Sequence, residues 1–275
     1  MTPLRRMRPL LGTFVEVSAC GTGAAEAIEA GFARIAQAQA WWSFHDVDSE
    51  LSRLNQAAGA RVSLHPHTLR LLRLAAAMMR RSGGAFDCTV GGMLVCQGVL
   101  PDHGGPAPLP RGCVDDLEIG AGWARLRRPV RLTLDGIAKG YAVDLAIRAL
   151  RRAGSPAGSV NAGGDLRVYG ELTLPVQRRE LDGRLTSLGA LRDAAVASSR
   201  AAAPGEAIDP SFPAQLVAPT GQRPQPGVWS VLARSAWRAD ALTKVAANTP
   251  EPQREALVRS LGGCLLASSP QELAA

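Results

Sequence analysis

The residues whose types and spacing could do chemistry are most concentrated in RLTLDGIAKGYAVD, residues 131–144. A predicted strand at 131–134 leads to Asp135 and Gly136, and a helix is expected to begin at once. The free backbone N–H groups of a helix start bind phosphate, and Lys139 one turn later would add a positive charge. Gly136 lacks a side chain, so its backbone could approach a ligand or a metal closely. The same residues are equally typical of a helix capped by Asp135, with Lys139 reaching to water.

A second chemical segment is WRADALTKVAANT, residues 237–249. It places Asp240 near a predicted helix start, with Thr243 and Lys244 three and four residues later on the same face. Carboxylate and hydroxyl oxygens are ligands that Mg²⁺ prefers, so the pattern is compatible with a metal site. Taken alone, it is more typical of an acidic residue that complements the dipole of a helix start.

The segment SVNAGGDLRVYG is predicted to form two strands around a turn at Gly163 and Gly164. Asn161 and Asp165 flank this turn and could position a polar ligand. On its own, a glycine pair between strands usually indicates a bulge or a tight turn.

Two more segments combine aromatic and polar residues. GGAFDCTVGG, residues 83–92, sets Phe86 beside Asp87 between two glycine pairs. This arrangement suits a flat heteroaromatic ligand, although Phe86 could equally be a core residue. SFHDVDSELSRLN, residues 43–55, carries His45 in a polar stretch that is also typical of capping and turn chemistry.

The elements that must position these residues alternate irregularly between helix and strand. Helices are predicted at 24–42, 66–82, 136–154, 238–247 and 251–261. Strands are predicted at 10–19, 113–119, 122–126, 131–134, on both sides of the glycine pair in 159–170, in AAVASS, and at 228–233 and 263–267. The order predicts an α/β (α+β) fold with mixed sheets and flanking helices. It is expected to form a single domain over 1–275, with two interleaved subdomains as the alternative.

Composition excludes several classes of protein. The chain has 275 residues, of which 46% are hydrophobic and 20% charged, so disorder and fibrous folds are not expected. Its net charge of +7 comes from scattered arginines, and the only two lysines are Lys139 and Lys244. The absence of a basic stripe with interleaved aromatics argues against nucleic acid as a partner.

Five cysteines without metal spacing indicate a reduced protein. The lack of a long apolar run or a leader predicts a cytoplasmic protein without a transmembrane segment.

Taken together and in order, these segments resemble the ApbE family of flavin transferases, the FAD:protein FMN transferases. The matching motifs are LLGTFVEV, SFHDVDSELSRLN, GGAFDCTVGG, LTLDGIAKGYAVDLA, SVNAGGDLRVYG, AVASS and ADALTK. They span residue 10 to about residue 245, and seven motifs in the family's order are specific. The resemblance implies a mixed α/β fold that binds FAD and Mg²⁺. It also implies transfer of FMN from FAD to a Thr or Ser hydroxyl of an acceptor protein, with release of AMP. Relatives are often periplasmic or membrane-anchored.

The resemblance also implies roles for individual residues. Cofactor contacts fall on Leu11, His45, Ala85, Phe86, Asp87, Thr133, Lys139, Asn161, Gly163, Gly164 and Asp165. Metal ligands fall on Gly136, Asp240 and Thr243, and the catalytic groups are Asp240 and Lys139.

The chain departs from the family's usual residues at several of these positions. Leu11 replaces a common Met, and Thr133 replaces an Asp. Lys244 stands where relatives often have the metal's hydroxyl ligand, and Gln215 stands where they have a His. The expected activity is Mg²⁺-dependent FMN transfer. Its alternatives are a FAD pyrophosphatase without a protein acceptor and a protein that binds flavin without turnover.

Overall fold

The computed structural model describes residues 2–201, 216 and 224–266, which form twelve strands and seven α-helices. In chain order, the strands are β1 (Leu4–Leu10), β2 (Thr13–Ala19), β3 (Val62–Ser63), β4 (Leu117–Ile119), β5 (Trp123–Leu126), β6 (Gly158–Ala162), β7 (Asp165–Tyr169), β8 (Thr173–Arg179), β9 (Leu185–Arg192), β10 (Ala195–Ala201), β11 (Gly227–Ala233) and β12 (Gly263–Leu266). The helices are α1 (Ala24–Trp42), α2 (Glu50–Gln56), α3 (Pro66–Arg81), α4 (Gly91–Cys96), α5 (Ala138–Arg152), α6 (Ala236–Asn248) and α7 (Glu251–Ser260).

The main sheet has seven antiparallel strands in the order β1-β2-β6-β7-β10-β11-β12. In β2 the alternating residues Val15 and Val17 are fully buried, whereas β1 is almost entirely exposed at the edge. The turn between them places Leu11 and Gly12 at positive φ, 56° and 68°, as the tightest hairpins require. A small second sheet has the order β3-β5-β4, and β8 and β9 form a separate hairpin.

Helices α1 and α5 pack together against the main sheet. Ile28, Phe32 and Ile35 of α1 and Ile147 and Leu150 of α5 are each at most 1% exposed and contact residues of β2 and β6. Burying each such side chain stabilises the fold by roughly 1.5–3 kcal/mol. This packing fixes the start of α5 relative to the sheet. A second, larger core joins helices α2, α3, α6 and α7.

The mixed α/β fold predicted from the sequence is confirmed. Helix α1 has the predicted bounds, and α3 begins at Pro66, the position in a first helical turn where proline is best tolerated.

The strand predicted at 131–134 is wrong. Leu132 donates its backbone N–H to Oδ1 of Asn55 at 2.8 Å and accepts a bond from Nδ2 of Asn55 at 2.9 Å. Thr133 donates its N–H to the carbonyl of Cys88 at 2.9 Å. Arg131 also forms an isolated parallel bridge with Val90, so the segment pairs with backbone on one side and with the Asn55 amide on the other, and no regular strand forms.

One helix boundary and two strand regions also differ from the prediction. Helix α5 begins at Ala138 rather than at Gly136. The polar stretch 171–192, for which no element was predicted, contains the β8–β9 hairpin. Strand β1 was also missed, because its exposed, arginine-rich sequence has no apolar alternation.

Candidate functional site

The starts of helices α5 and α6 meet at a close crossing. A Cβ atom on Gly140 would overlap the carbonyl oxygen of Ala236, so only glycine permits this approach. Oδ2 of Asp240 accepts the backbone N–H of Gly140 at 3.1 Å. In the reverse direction, the Asp144 carboxylate accepts the N–H groups of Ala236 and Trp237, each at 3.1 Å. Each helix thus supplies the carboxylate that satisfies backbone donors at the start of the other.

Asp240 is fully buried, and both of its carboxylate oxygens have a donor. Oδ2 accepts the Gly140 N–H, and Oδ1 accepts a bond from the Lys244 ammonium, one turn later on α6. The Lys244 side chain is only 17% exposed. The two side chains form a buried ion pair within one helix, at the spacing that brings side chains onto one face.

Lys139 and Asp165 form a second ion pair beside the first. Nζ of Lys139 lies 3.8 Å from Oδ2 of Asp165, a buried oxygen that has no hydrogen-bond partner among the described residues. Burial and then the charge of Asp240 raise the pKa of Asp165 to about 7, against the opposing charges of Lys139 and Lys244. The charge of Asp165, followed by smaller effects of Asp240 and Asp135, raises the pKa of Lys139 although its side chain is partly withdrawn from water. The site therefore combines the Lys139 ammonium with a buried carboxyl group whose pKa is raised.

Three motifs that are far apart in the sequence meet at Gly136. A Cβ atom placed there would lie 3.1 Å from Cε2 of Phe86 and 3.6 Å from Cε of Lys244. The Phe86 side chain is 3% exposed and belongs to the larger core, so the structure places it as a core residue whose ring edge borders the site. An aromatic edge, a bare glycine and two ammonium groups consequently share one location.

Thr243 faces the main sheet and makes two hydrogen bonds. Its hydroxyl donates to the backbone carbonyl of Asp240 at 2.7 Å. The Ser199 hydroxyl lies 2.6 Å away, and it donates to Thr243 because the Thr243 proton is already used. Ser199 lies in β10, within the AVASS motif.

The start of α5 is not capped by Asp135, and two N–H groups of its first turn are already bonded. The N-cap residue is Ile137, and no side chain caps it. Asp135 instead accepts a hydrogen bond from the Thr133 hydroxyl at 3.0 Å. The N–H of Ala138 already bonds to the Leu134 carbonyl at 2.7 Å, and that of Gly140 bonds to Asp240. Positive charge for an anion therefore comes mainly from the lysine side chains.

The AFD segment is held rigidly next to this site. The Asp87 side chain is 1% exposed and pairs with Nε of Arg111 at 2.8 Å. Its other oxygen accepts bonds from the backbone N–H and hydroxyl of Thr89, at 2.8 and 2.6 Å. The Ala85 carbonyl accepts a bond from the side chain of Asn248, in the last turn of α6, at 3.0 Å. These bonds fix the segment against the same helix that carries Asp240.

Two turns lie side by side at the end of the main sheet. A Cβ atom on Gly163 would lie 2.8 Å from Oγ1 of Thr13, so the glycine turn packs directly onto the turn that contains Leu11. Gly164 donates its N–H to Oδ1 of Asn161 at 3.0 Å, and Leu11 donates to the Gln39 side chain at 2.6 Å. The two turns are thus adjacent to each other and to Asp165, which begins β7.

Two predicted positions are not joined to the cluster. His45 is exposed between α1 and α2, and no hydrogen bond or ion pair within the described residues connects it to Asp240 or Lys139. Gln215 lies outside the described residues. Conversely, sequence analysis assigned no role to Asp144 or Ser199, although each lies within one of the motifs, and membership of a motif was the available signal.

The residues assigned to Mg²⁺ do not fit that ion as they are arranged. Asp240 uses both oxygens, Lys244 holds one of them with a positive charge, and the Thr243 hydroxyl proton and one lone pair are committed. Within residues 2–201, 216 and 224–266, no three His, Cys, Asp or Glu side chains form a group that could hold a metal. Mg²⁺ requires near-octahedral oxygen ligands, and an ammonium on its carboxylate ligand would repel it.

The chain is similar to known proteins over most of its length. The model of the ApbE family matches residues 11–266. An FAD:protein FMN transferase of Rhodobacter capsulatus is 33% identical in an alignment of 178 residues that covers 59% of this chain and 34% of that protein. The match therefore spans about a third of the length of that relative. In the part of the chain that the structure describes, no helix is both long and apolar enough to cross a membrane.

Solved structures share the fold at low identity. A flavin transferase ApbE from Vibrio cholerae superimposes with a TM-score of 0.78 at 20% identity, covering 98% of this chain and 97% of that chain. An ApbE protein from Thermotoga maritima gives a TM-score of 0.80 at 21% identity, covering 96% and 93%. A flavinyl transferase ApbE from Pseudomonas stutzeri gives 0.76 at 20% identity, covering 96% and 94%.

Proposed function

The chain belongs to the ApbE family, and we propose that it transfers FMN from FAD to a Thr or Ser hydroxyl of an acceptor protein and releases AMP. The observation that supports this most directly is the meeting of Phe86, Gly136 and Lys244, from three separate motifs, beside the Lys139–Asp165 pair. The named activity of the Rhodobacter capsulatus relative agrees with the proposal.

FAD suits the site because it joins a flat ring system to a pyrophosphate. The Phe86 ring edge and the Lys244 stem lie against the bare side of Gly136, and we propose that a flavin or its ribityl chain binds next to this aromatic edge. The Lys139 ammonium pairs with Asp165 and the Lys244 ammonium with Asp240, and both charges act on Asp165, so we propose that the two lysines attract the two phosphates. Proposed flavin contacts extend to Leu11, His45, Ala85, Asp87, Thr133, Asn161, Gly163, Gly164 and Asp165.

The proposed reaction is a phosphoryl-group substitution. The acceptor hydroxyl oxygen attacks the phosphorus that carries riboflavin, and the bond from this phosphorus to the bridging oxygen breaks. AMP leaves with the bridging oxygen, and the hydroxyl proton passes to water. The ammonium groups stabilise the charge that develops on the phosphate oxygens, and little covalent chemistry is required of the protein itself.

The family resemblance also implies Mg²⁺, held by Gly136, Asp240 and Thr243. We assign no reaction step to Mg²⁺, because Lys244 already pairs with Asp240 and the Thr243 hydroxyl bonds to Asp240 and Ser199. The Asp240 carboxylate is instead proposed to hold the Lys244 ammonium in place for the pyrophosphate.

The test is incubation of the purified chain with FAD, with and without a peptide that contains Thr, followed by measurement of AMP and of peptide-bound FMN. Transfer predicts both products and a dependence of AMP release on the peptide. AMP and free FMN without peptide labelling would indicate a pyrophosphatase, and bound FAD without AMP would indicate flavin binding alone.

A matched pair of variants connects the activity to the site. Lys139→Met should lower AMP release about a hundredfold, since removing one group that stabilises transition-state charge typically has an effect of this size. Arg152→Met removes a positive charge from the exposed end of α5 and should leave the rate unchanged. Equal rates for the two variants would contradict the assigned site.

A further inference from the structure

The position of Lys244 carries an inference about the cation at this site. Lys244 lies four residues after Asp240 on α6, and its ammonium bonds to Oδ1 of that carboxylate. Its Cε and Cγ atoms lie 3.6 and 3.8 Å from where a Cβ atom on Gly136 would be. The lysine stem therefore fills the space between Gly136 and Asp240, two of the three groups assigned to a metal.

The remaining ligand assigned to the metal is also committed. Thr243 is fully buried, and its hydroxyl bonds to the Asp240 carbonyl at 2.7 Å and to Ser199 at 2.6 Å. These bonds leave the hydroxyl one free lone pair, and for a metal ion to reach Oδ1 of Asp240 the Lys244 ammonium would have to leave that oxygen. The displaced ammonium would remain near the ion and repel it.

We infer that Lys244 is the resident cation of this site, so that the chain binds the pyrophosphate of FAD without a divalent metal ion. A lysine ammonium is a compact point charge with three donors, and it can bind phosphate oxygens while it keeps a bond to Asp240. The buried position of Asp240 and the Gly140 N–H on its other oxygen hold the carboxylate still. This inference rests on the proposed function, since it concerns the binding of FAD.

The first measurement needs no flavin. Mn²⁺ is used as the probe, and the free ion is followed by its electron paramagnetic resonance signal. The wild-type chain should leave the signal unchanged at equimolar concentration. Lys244→Thr removes the ammonium and adds a hydroxyl four residues after Asp240, so this variant should bind one Mn²⁺ per chain. Asp240→Asn in the same background should abolish that binding.

The second measurement is the dissociation constant of FAD, from quenching of flavin fluorescence, with EDTA or with Mg²⁺. The wild-type value should be the same in both conditions. In Lys244→Thr, FAD should bind about tenfold more tightly with Mg²⁺ than with EDTA, because only this variant can hold a metal ion beside the pyrophosphate. Arg152→Thr, which removes an exposed positive charge, should behave as wild type in both measurements.

The results of the two measurements decide whether Lys244 or a divalent metal ion is the cation at this site. One Mn²⁺ bound per wild-type chain, with or without FAD, would overturn the inference, as would weaker binding of FAD to the wild type in EDTA. Failure of Lys244→Thr to bind Mn²⁺ would also contradict the inference, provided that the midpoint of thermal unfolding of this variant equals that of the wild type. If FAD binds to none of the proteins, the proposed function fails, and the Mn²⁺ titration still decides which cation Asp240 holds.

Discussion

Asp144 and Asp240 each accept backbone N–H groups from the helix that carries the other. Asp144 lies in α5 and binds the first two N–H groups of α6, whereas Asp240 lies in α6 and binds the Gly140 N–H in the first turn of α5. Both carboxylates are at most 1% exposed. Because the two helices fix each other, the position of the candidate site's central carboxylate is a property of the helix crossing rather than of a loop.

Replacing Asp144 should therefore destabilise the whole crossing. Asp144→Ala leaves two buried N–H groups without a partner and leaves the Arg167 guanidinium, which pairs with Asp144, uncompensated. Breaking a buried pair of this kind lowers the free energy of unfolding by roughly 3–5 kcal/mol. Urea denaturation followed by circular dichroism measures the loss.

The control for this prediction is Glu255→Ala. Glu255 pairs with Arg259 on the exposed face of α7, where 67% of its side chain is accessible. Exposed pairs contribute about 1 kcal/mol or less. If the two variants lose similar stability, reciprocal capping is not what holds the helices together.

A substitution at Gly140 tests how closely helices α5 and α6 must approach each other. Gly140→Ala would drive a methyl group into the backbone of Ala236, and relief requires the helices to move apart. We expect a loss of about 1–3 kcal/mol, the usual range for overpacking. Gly31→Ala in α1 is the matched control, because its new Cβ would meet Val17 and Leu150 at ordinary distances of 3.4 and 3.6 Å. That control should be neutral or gain up to about 1 kcal/mol from better helix propensity. A Gly140→Ala variant as stable as the control would show that the crossing can relax.

The sequence indicated which residues lie near one another in the candidate site, but it did not indicate which hydrogen bonds they form. Motif order grouped Phe86, Gly136 and Lys244, and the structure brings them into contact. The spacing of Asp240 and Lys244 on one helix face was visible as well. Which atoms they bond was not visible, because Asp240 also binds an N–H that is 100 residues away along the chain. Such a bond depends on a helix crossing that local patterns do not encode.

The secondary structure also divides into elements that local sequence patterns predict and elements that depend on distant residues. Helices with an apolar face, such as α1, were placed at their observed bounds because 3.6-residue periodicity is a local property. The segment at 131–134 forms only an isolated bridge, between Arg131 and Val90, and Leu132 bonds to the side chain of Asn55, which is 77 residues away. Helix α5 begins later than predicted since Asp135 binds Thr133 instead of capping the helix.

Asp165 should give the stability of the chain a distinctive pH dependence. Its folded-state pKa of about 7 lies above the ordinary value of 3.8, so between these values the folded state binds the proton more tightly than the unfolded state. The contribution of Asp165 is therefore most favourable at low pH and is lost as the pH rises through about 7. Asp165→Asn stays neutral, so its stability relative to wild type should increase from about pH 5 to about pH 8. Urea titrations at both pH values measure this difference. A constant difference would contradict the raised pKa, and Asp115→Asn, at a side chain that is 83% exposed, supplies the baseline.

Lys139 should not tolerate the conservative change to arginine. Its ammonium lies 3.8 Å from Asp165 and is also attracted by Asp240 and Asp135, an arrangement that suits a compact charge on a slender stem. A guanidinium is wider and planar, and its donors have a fixed geometry. It would therefore either displace a neighbouring side chain or lie away from the position proposed for the FAD phosphates. We expect Lys139→Arg to weaken FAD binding about tenfold, which corresponds to about 1.4 kcal/mol. Flavin fluorescence titration measures the dissociation constant, with Arg152→Lys at an exposed helix end as the control that should match wild type. If Lys139→Arg binds FAD as tightly as the control does, then Lys139 contributes charge alone, and its shape and its pairing with Asp165 do not matter for binding.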